Sequence, residues 1–321
     1  MDPTKAVLPP PGSTFAQSVD PLFNFLIIVA GIFLVIVISG VIIFSVRYRK
    51  RHGVAQLSAA PTHNTALEVT WILIPLVLVM IVFLWGFKGY LAMSVVPKDA
   101  MEVKVTAQKW FWSFDYPDGA TSVNELVVPV GVPVKLLMSS KDVIHSFFVP
   151  SFRLKRDVLP NRYTIAWFKS TQVGEYNLFC AEYCGTKHSE MTGKVRVVTE
   201  REYNDWLASS AAAGEGIAPA EYGAKLFVSK ACHTCHSVDG TPGNGPSLLN
   251  VYGHEVKLSD GSSVLADENY FRESILNPRA KVVIGYQPIM PTYQGLLKDK
   301  DIDALIAYLK THSDMEKEPG E

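Results

Sequence analysis

Cys180-Ala-Glu-Tyr-Cys184-Gly-Thr-Lys-His188-Ser-Glu-Met191 puts two cysteines, a histidine and a methionine within twelve residues, with one glycine to let the chain turn. Thiolate, imidazole and thioether donors together favour copper. A single blue-type copper uses one thiolate, two imidazoles and a weak methionine, whereas this loop offers two thiolates and one imidazole. The surplus sulfur suggests two metals bridged by both cysteines, each capped by its own histidine. His145, in the apolar, strand-like run Asp142-Val-Ile-His-Ser-Phe-Phe-Val-Pro150, is the best-placed second imidazole. Two other readings stand beside copper. Cys-x-x-x-Cys could be a structural disulfide in an oxidising compartment, with His188 and Met191 as ordinary surface or core residues. The set could also hold zinc, although zinc sites rarely recruit methionine.

Cys232-His-Thr-Cys235-His236 is a second constellation, with the spacing that attaches c-type haem. Both thiols are placed for thioether bonds, and His236 is left as an axial iron ligand. Methionine opposite histidine raises the iron potential, and Met290, between Pro288 and Pro291 in Gln-Pro-Ile-Met-Pro, is the best downstream donor. His254 and His312 are its rivals; Met315 lies in a charged tail and is a poorer one. The chain has four cysteines, so both pairs have a chemical use and none is left for a structural disulfide.

The elements that must position these groups follow from the distribution of apolar residues. The chain has 321 residues and a net charge of −1, long enough for two ordinary domains and too near neutral for a nucleic-acid partner. Residues 1–20 read as an outer-side segment without a secretory signal layout or a lipid-bearing cysteine. Either the chain is a mature form, or its first apolar run does the targeting. Residues 21–46 form the first membrane-spanning helix: Leu22 to Val46, about 25 residues, gives about 37 Å against a hydrocarbon core of about 30 Å. Arg47, Arg49, Lys50 and Arg51 place loop 47–65 in the cytoplasm. The second helix, 66–91, carries Trp71 and Trp85 as interfacial anchors and returns the chain to the outer side. Glu68 stands at its cytoplasmic mouth, where an acidic residue can simply face headgroups or a basic neighbour.

Residues 92–200 change to short alternating stretches, at Val103, Glu125, Val134, Tyr163, Glu175 and Lys194, separated by Pro-Asp-Gly, Gly-Val-Pro and Val-Gly turns. That pattern reads as a β-sandwich or barrel, with the Cys180–Met191 loop joining its last two strands. Within Trp110-Phe-Trp112-Ser-Phe-Asp-Tyr116, the residues Trp112, Phe114 and Tyr116 are candidate core. Arg153, Lys155 and Arg156 read as solvated surface. Residues 201–218, small and without apolar periodicity, read as a flexible linker. The haem-attachment motif lies in a domain at 219–315 whose last helix puts Ile302, Leu305, Ile306 and Leu309 on one face, followed by a tail at 316–321.

The paired cysteines, His145, His188 and Met191 together resemble the binuclear copper site of cytochrome c oxidase subunit II, and nearly the whole chain resembles that subunit with a fused cytochrome c domain. The fold this implies is multidomain: a two-helix transmembrane hairpin, an all-β cupredoxin-like sandwich and an all-α class I cytochrome c domain. The resemblance implies bridging thiolates from Cys180 and Cys184, imidazoles from His145 and His188, the Met191 sulfur and the Glu182 backbone carbonyl. It also implies a covalent haem c on Cys232 and Cys235 with His236 and Met290 on iron. Trp110 matches the first tryptophan of the family's Trp-aromatic-Trp motif, through which electrons arrive from cytochrome c, although Gln108 and Lys109 depart from the usual His-Gln before it. Glu68 matches a glutamate at the mouth of a proton channel in the catalytic subunit. In the family the stretch matching 153–156 faces that subunit near haem propionates and a magnesium ion, and the resemblance implies the Glu182 carboxylate as magnesium ligand and Asp157 as an interface candidate.

The implied function is an electron relay in the inner membrane of a bacterium, both termini on the periplasmic side. Electrons pass from a c-type cytochrome or a quinol-oxidising complex to the haem, then to the copper pair, then to subunit I, where dioxygen becomes water and protons are pumped. Quinol-oxidising relatives lack the copper ligands, and nitrous oxide reductase needs a large further domain. A membrane-anchored copper-delivery protein would need exchangeable copper and no covalent haem.

Overall fold

A computed structural model describes residues 7–49, 63–211 and 216–314. Two helices, α1 (Thr14–Arg47) and α2 (Thr65–Ser94), are long and apolar enough to cross a membrane. Helix α1 starts well before residue 21, where the hydropathy run places it. Ser13 caps it, its hydroxyl accepting from Phe15 N–H at 3.2 Å, a signal that a search for apolar runs does not register. Lys50, Arg51 and Met315 lie outside the described residues.

The ends of the hairpin explain its orientation. Gly12 N–H donates to the Ser151 carbonyl at 2.8 Å, Thr171 N–H donates to the Gly12 carbonyl at 3.0 Å, and Phe15 packs edge-on against Trp167 at 4.8 Å. Arg153 Nε donates to Asp20 Oδ1 at 2.7 Å. Met93, at the end of α2, packs on the same β-domain. Both these ends therefore meet the β-domain, and Arg47 and Thr65 lie at the far end of the hairpin.

The β-domain is built from β1 (Met101–Gln108), β2 (Phe111–Asp115), β3 (Thr121–Val123), β4 (Glu125–Pro129), β5 (Pro133–Ser140), β6 (His145–Val149), β7 (Leu154–Val158), β8 (Thr164–Lys169), β9 (Gly174–Cys180) and β10 (Thr192–Val198). They form two five-stranded sheets, ordered β3-β2-β1-β5-β8 and β4-β10-β9-β6-β7. Trp112, Phe114, Leu126, Leu136, Phe147 and Leu178, fully buried, fill the space between them.

Residues 201–218 are not simply a linker, since Glu200–Ala211 form helix α3. Thr199 and Glu202 cap it reciprocally: Glu202 Oε2 accepts from Thr199 N–H at 2.8 Å, and Glu202 N–H donates to Thr199 Oγ1 at 3.3 Å. This is the Thr-x-x-Glu capping box. Tyr203 and Trp206 then pack the helix on the sandwich, Trp206 at 4.8 Å from the Tyr116 ring.

The C-terminal domain holds α4 (Pro219–Ser229), a ribbon of β11 (Glu255–Lys257) and β12 (Ser263–Leu265), α5 (Glu268–Leu276) and α6 (Asp299–Lys310). The ribbon is an addition to the expected helices. Helices α4 and α6 cross at Gly223, where a Cβ would fall 1.9 Å from the Ala304 carbonyl oxygen. Ile302, Leu305, Ile306 and Leu309 are buried in this domain's core, as the helical periodicity requires.

Candidate metal centres

Sheet order brings the first donor set together. Strands β6, β9 and β10 are neighbours, so His145 at the start of β6, Cys180 at the end of β9 and Met191 just before β10 reach one edge of one sheet. Ala181 N–H donates to the Ser146 carbonyl at 2.9 Å and Cys180 N–H to the Met191 carbonyl at 3.1 Å, which ties the loop at both ends.

Cys180 Sγ lies 3.9 Å from Cys184 Sγ, 3.8 Å from His145 Nδ1 and 3.2 Å from the Glu182 carbonyl. Cys184 Sγ lies 3.6 Å from His188 Nδ1 and 3.7 Å from Met191 Sδ. Thus all six residues expected from the sequence converge. The sulfur separation is far beyond a disulfide bond of about 2.05 Å, and both cysteines are free thiols. Two thiolates on one ion at about 2.3 Å each can stand up to about 4.6 Å apart, so 3.9 Å lets one ion touch both. Cys180, Cys184, His145 and Met191 are buried, His188 is partly so. The soft, water-excluded donor set fits copper.

Electrostatics prepare the thiols unequally. Burial alone would push the Cys180 thiol up, but hydrogen bonding to His145 and to the backbone of Ser146 and Glu182 brings it down to about 7. Burial, and then Cys180 itself, push Cys184 up to about 12. Burial works against protonation of His145, yet Asp142 and Cys180 more than offset it and the imidazole pKa rises.

Asp142 is the residue that the sequence reading overlooked. Its Oδ1 accepts from His145 Nε2 at 2.8 Å and its Oδ2 from Lys109 N–H at 2.8 Å. This carboxylate fixes the ring so that Nδ1 faces the sulfurs, the usual outer-shell partner of a ligating histidine. An aspartate three residues before a candidate ligand was the available signal.

Gly185 turns the loop at φ +123°, and a Cβ there would meet the Trp110 ring at 3.2 Å. Trp110 therefore lies directly against the donor loop. Trp112, Phe114 and Tyr116 are buried core, as expected. Arg153 is not free to face another subunit, since its guanidinium is engaged by Asp20 and by the Pro9 and Pro150 carbonyls. Lys155, Arg156 and Asp157 are exposed, and Asp157 Oδ1 accepts from the Ser146 hydroxyl at 2.8 Å. Glu68 takes part in the α2 cap: its Oε1 accepts from Asn64 N–H at 3.3 Å while Asn64 Oδ1 accepts from Leu67 N–H at 3.2 Å.

The second donor set lines a cavity of about 300 Å³ that includes Cys232, Cys235, His236 and Met290 among mostly apolar side chains. His236 Nδ1 stands 2.8 Å from the Pro246 carbonyl, which can only accept, so the ring donates there and its Nε2 keeps the lone pair. Burial holds the His236 pKa down, which keeps the ring neutral. Burial also pushes Cys232 up to about 12. Two adjacent thiols, an oriented neutral imidazole and a thioether in an apolar cavity fit a covalent haem. His254 and His312 face elsewhere: His254 Nε2 pairs with Asp314 at 3.4 Å, and His312 Nδ1 lies 3.1 Å from the Tyr308 carbonyl.

Comparison with known proteins matches three families: cytochrome c oxidase subunit II, transmembrane domain, over residues 2–88; cytochrome c oxidase subunit II, periplasmic domain, over 120–198; and cytochrome c over 220–313. Cytochrome c oxidase subunit 2 of Alkalihalophilus pseudofirmus is 30% identical over 300 residues, covering 90% of this chain and 86% of its own length. That of Synechocystis is 30% identical over 257 residues, covering 64% of this chain and 76% of its own. The solved periplasmic domain of subunit II of the Bradyrhizobium japonicum cytochrome oxidase is 32% identical over 36% of this chain and 97% of its own, with a TM-score of 0.35. With a membrane hairpin, a sandwich bearing a sulfur-rich donor loop and a cytochrome c domain in that order, the chain belongs to the cytochrome c oxidase subunit II family.

Proposed function

We propose that this chain receives electrons for a membrane-bound terminal oxidase and relays them from its own c-type haem, through a binuclear copper centre, to a catalytic subunit that reduces dioxygen and pumps protons. The observation that carries this reading is the convergence of two cysteine sulfurs, two imidazole nitrogens, a thioether and a carbonyl at one sheet edge. Copper and haem, when bound, supply the reversible one-electron chemistry.

The residues divide the remaining work. Cys180, Cys184, His145, His188, Met191 and the Glu182 carbonyl would hold the copper pair. Because the donors hang from paired strands, little of the shell rearranges as charge changes, which favours fast transfer. Asp142 holds the His145 ring in place. Cys232 and Cys235 anchor the haem, with His236 and Met290 as iron ligands. Trp110, against Gly185, is the contact through which electrons reach the copper loop. Glu182 has an exposed side chain and supplies a magnesium ligand where the sandwich meets subunit I, beside Lys155, Arg156 and Asp157. Glu68, at the end of the hairpin away from the sandwich, serves proton uptake as well as the helix cap.

The protein then sits in the bacterial inner membrane with the sandwich and haem domains on the periplasmic side, fed by a c-type cytochrome or a quinol-oxidising complex. A metal count with optical and paramagnetic spectra tests this. Two coppers sharing one unpaired electron and one covalent haem per chain are expected. Exchangeable single copper without covalent haem would overturn it.

A further inference from the structure

Alternation along β2 sends Trp112 and Phe114 into the sandwich core and turns Phe111 to the outer face of its sheet. An outward phenylalanine should be wet, yet Phe111 is only 4% exposed, because it is packed within the core of the C-terminal domain. Its ring stacks on Tyr293 with centroids 5.8 Å apart and planes 2° from parallel. Polar contacts frame this stack. Lys187, in the donor loop, donates to the Thr234 carbonyl at 2.6 Å, and Thr234 stands between the two cysteines of the haem-attachment motif. The nearly buried Lys230 donates to Thr121 Oγ1 at 3.1 Å, and its carbonyl accepts from the Tyr293 hydroxyl at 2.8 Å. The cavity that contains Cys232, Cys235, His236 and Met290 is accordingly walled on one side by Trp110, Phe111 and Lys187 of the sandwich.

We propose that the sandwich supplies one wall of the haem cavity and that Phe111, with Lys187 and Lys230, fixes the C-terminal domain over Trp110. A diffusing protein donor is then kept from the Trp110 face and delivers its electron through the haem. The inference rests on the relay reading above, and it makes this face an internal interface of the chain.

Hydroxyl-radical footprinting of the full chain in detergent, with copper and haem counted in the same sample, tests it. After correction for intrinsic ring reactivity, Trp110 should be labelled about tenfold more slowly than Tyr183, which is 74% exposed. Phe111→Ala removes a buried aromatic anchor and should raise Trp110 labelling roughly tenfold, while Trp112 and Trp167 stay protected because Phe111 lies outside the sandwich core. Lys187→Met should move Trp110 labelling in the same direction. Native Trp110 labelled as fast as Tyr183, or Phe111→Ala leaving its rate unchanged, would overturn the docking while full copper and haem counts leave the relay standing. Missing metals would sink the relay whatever the footprint.

Discussion

Replacing Gly223 by alanine should destabilise the C-terminal domain alone, against what helix propensity dictates. In an unconstrained helix interior Ala is better than Gly by about 1 kcal/mol. At Gly223 the added Cβ would lie 1.9 Å from the Ala304 carbonyl oxygen, 2.6 Å from its carbon and 2.7 Å from Tyr308 Cβ. Ordinary contact is near 3.5 Å, so α4 and α6 must part by roughly 1.5 Å, and no side-chain rotation relieves a clash with backbone. Overpacking of this kind costs about 1–3 kcal/mol or more; at the upper end, less the propensity gain, about 2 kcal/mol is lost. At about 4–8 °C per kcal/mol for a domain of this size, haem-domain melting falls by roughly 10 °C. The chain supplies its own control: haem absorbance follows the C-terminal domain, and absorbance of the copper site follows the sandwich. A Gly223→Ala haem transition at or above the native temperature would refute the close crossing.

Asp142→Asn keeps the shape but removes the carboxylate on His145 Nε2, and should weaken copper binding by about 10–100-fold in chelator competition; unchanged affinity would mean that Asp142 does not orient the ring. Copper uptake by the metal-free chain should release protons, because Cys180 near 7 is mostly thiolate at pH 8 while Cys184 near 12 is a thiol. The bound form carries fewer protons, so affinity rises with pH, by about tenfold per unit where Cys184 alone still holds a proton and more steeply at lower pH, where Cys180 and the His145 imidazole hold theirs as well; pH-stat titration showing no release would refute this. Thr199→Ala should cost about 1 kcal/mol and speed amide exchange at the start of α3, with no effect on α4 or α6.

What could be read along the chain was local. Ligand types crowded into one loop between two strands, and a haem motif whose donors are three and four residues apart, need no tertiary knowledge. Asp142 was overlooked because its role exists only once β6 pairs with β9, Phe147 opposite Cys180. Strand β7 escaped because an edge strand carries charge as protection, and its Lys155 and Arg156 read with Arg153 as solvated surface. Strand β2 has four successive buried residues, and Phe111 interrupts the alternation of polarity that Trp112, Ser113, Phe114 and Asp115 keep.

That last strand shows why polarity patterns fail where two domains meet. A sheet with one wet face announces itself by alternating polar and apolar residues, and Phe111 breaks the pattern only because the C-terminal domain covers the outer face there. The break is itself information: period-two geometry with an apolar residue on the supposedly wet face predicts a covering partner. Here Phe111 also walls the cavity around Cys232, Cys235 and His236 of that partner, and the neighbouring Trp110 touches the copper loop from the same strand end. Packing between the domains and the approach of the two metal sites thus depend on consecutive residues, so a change that loosens Phe111 must weaken both together.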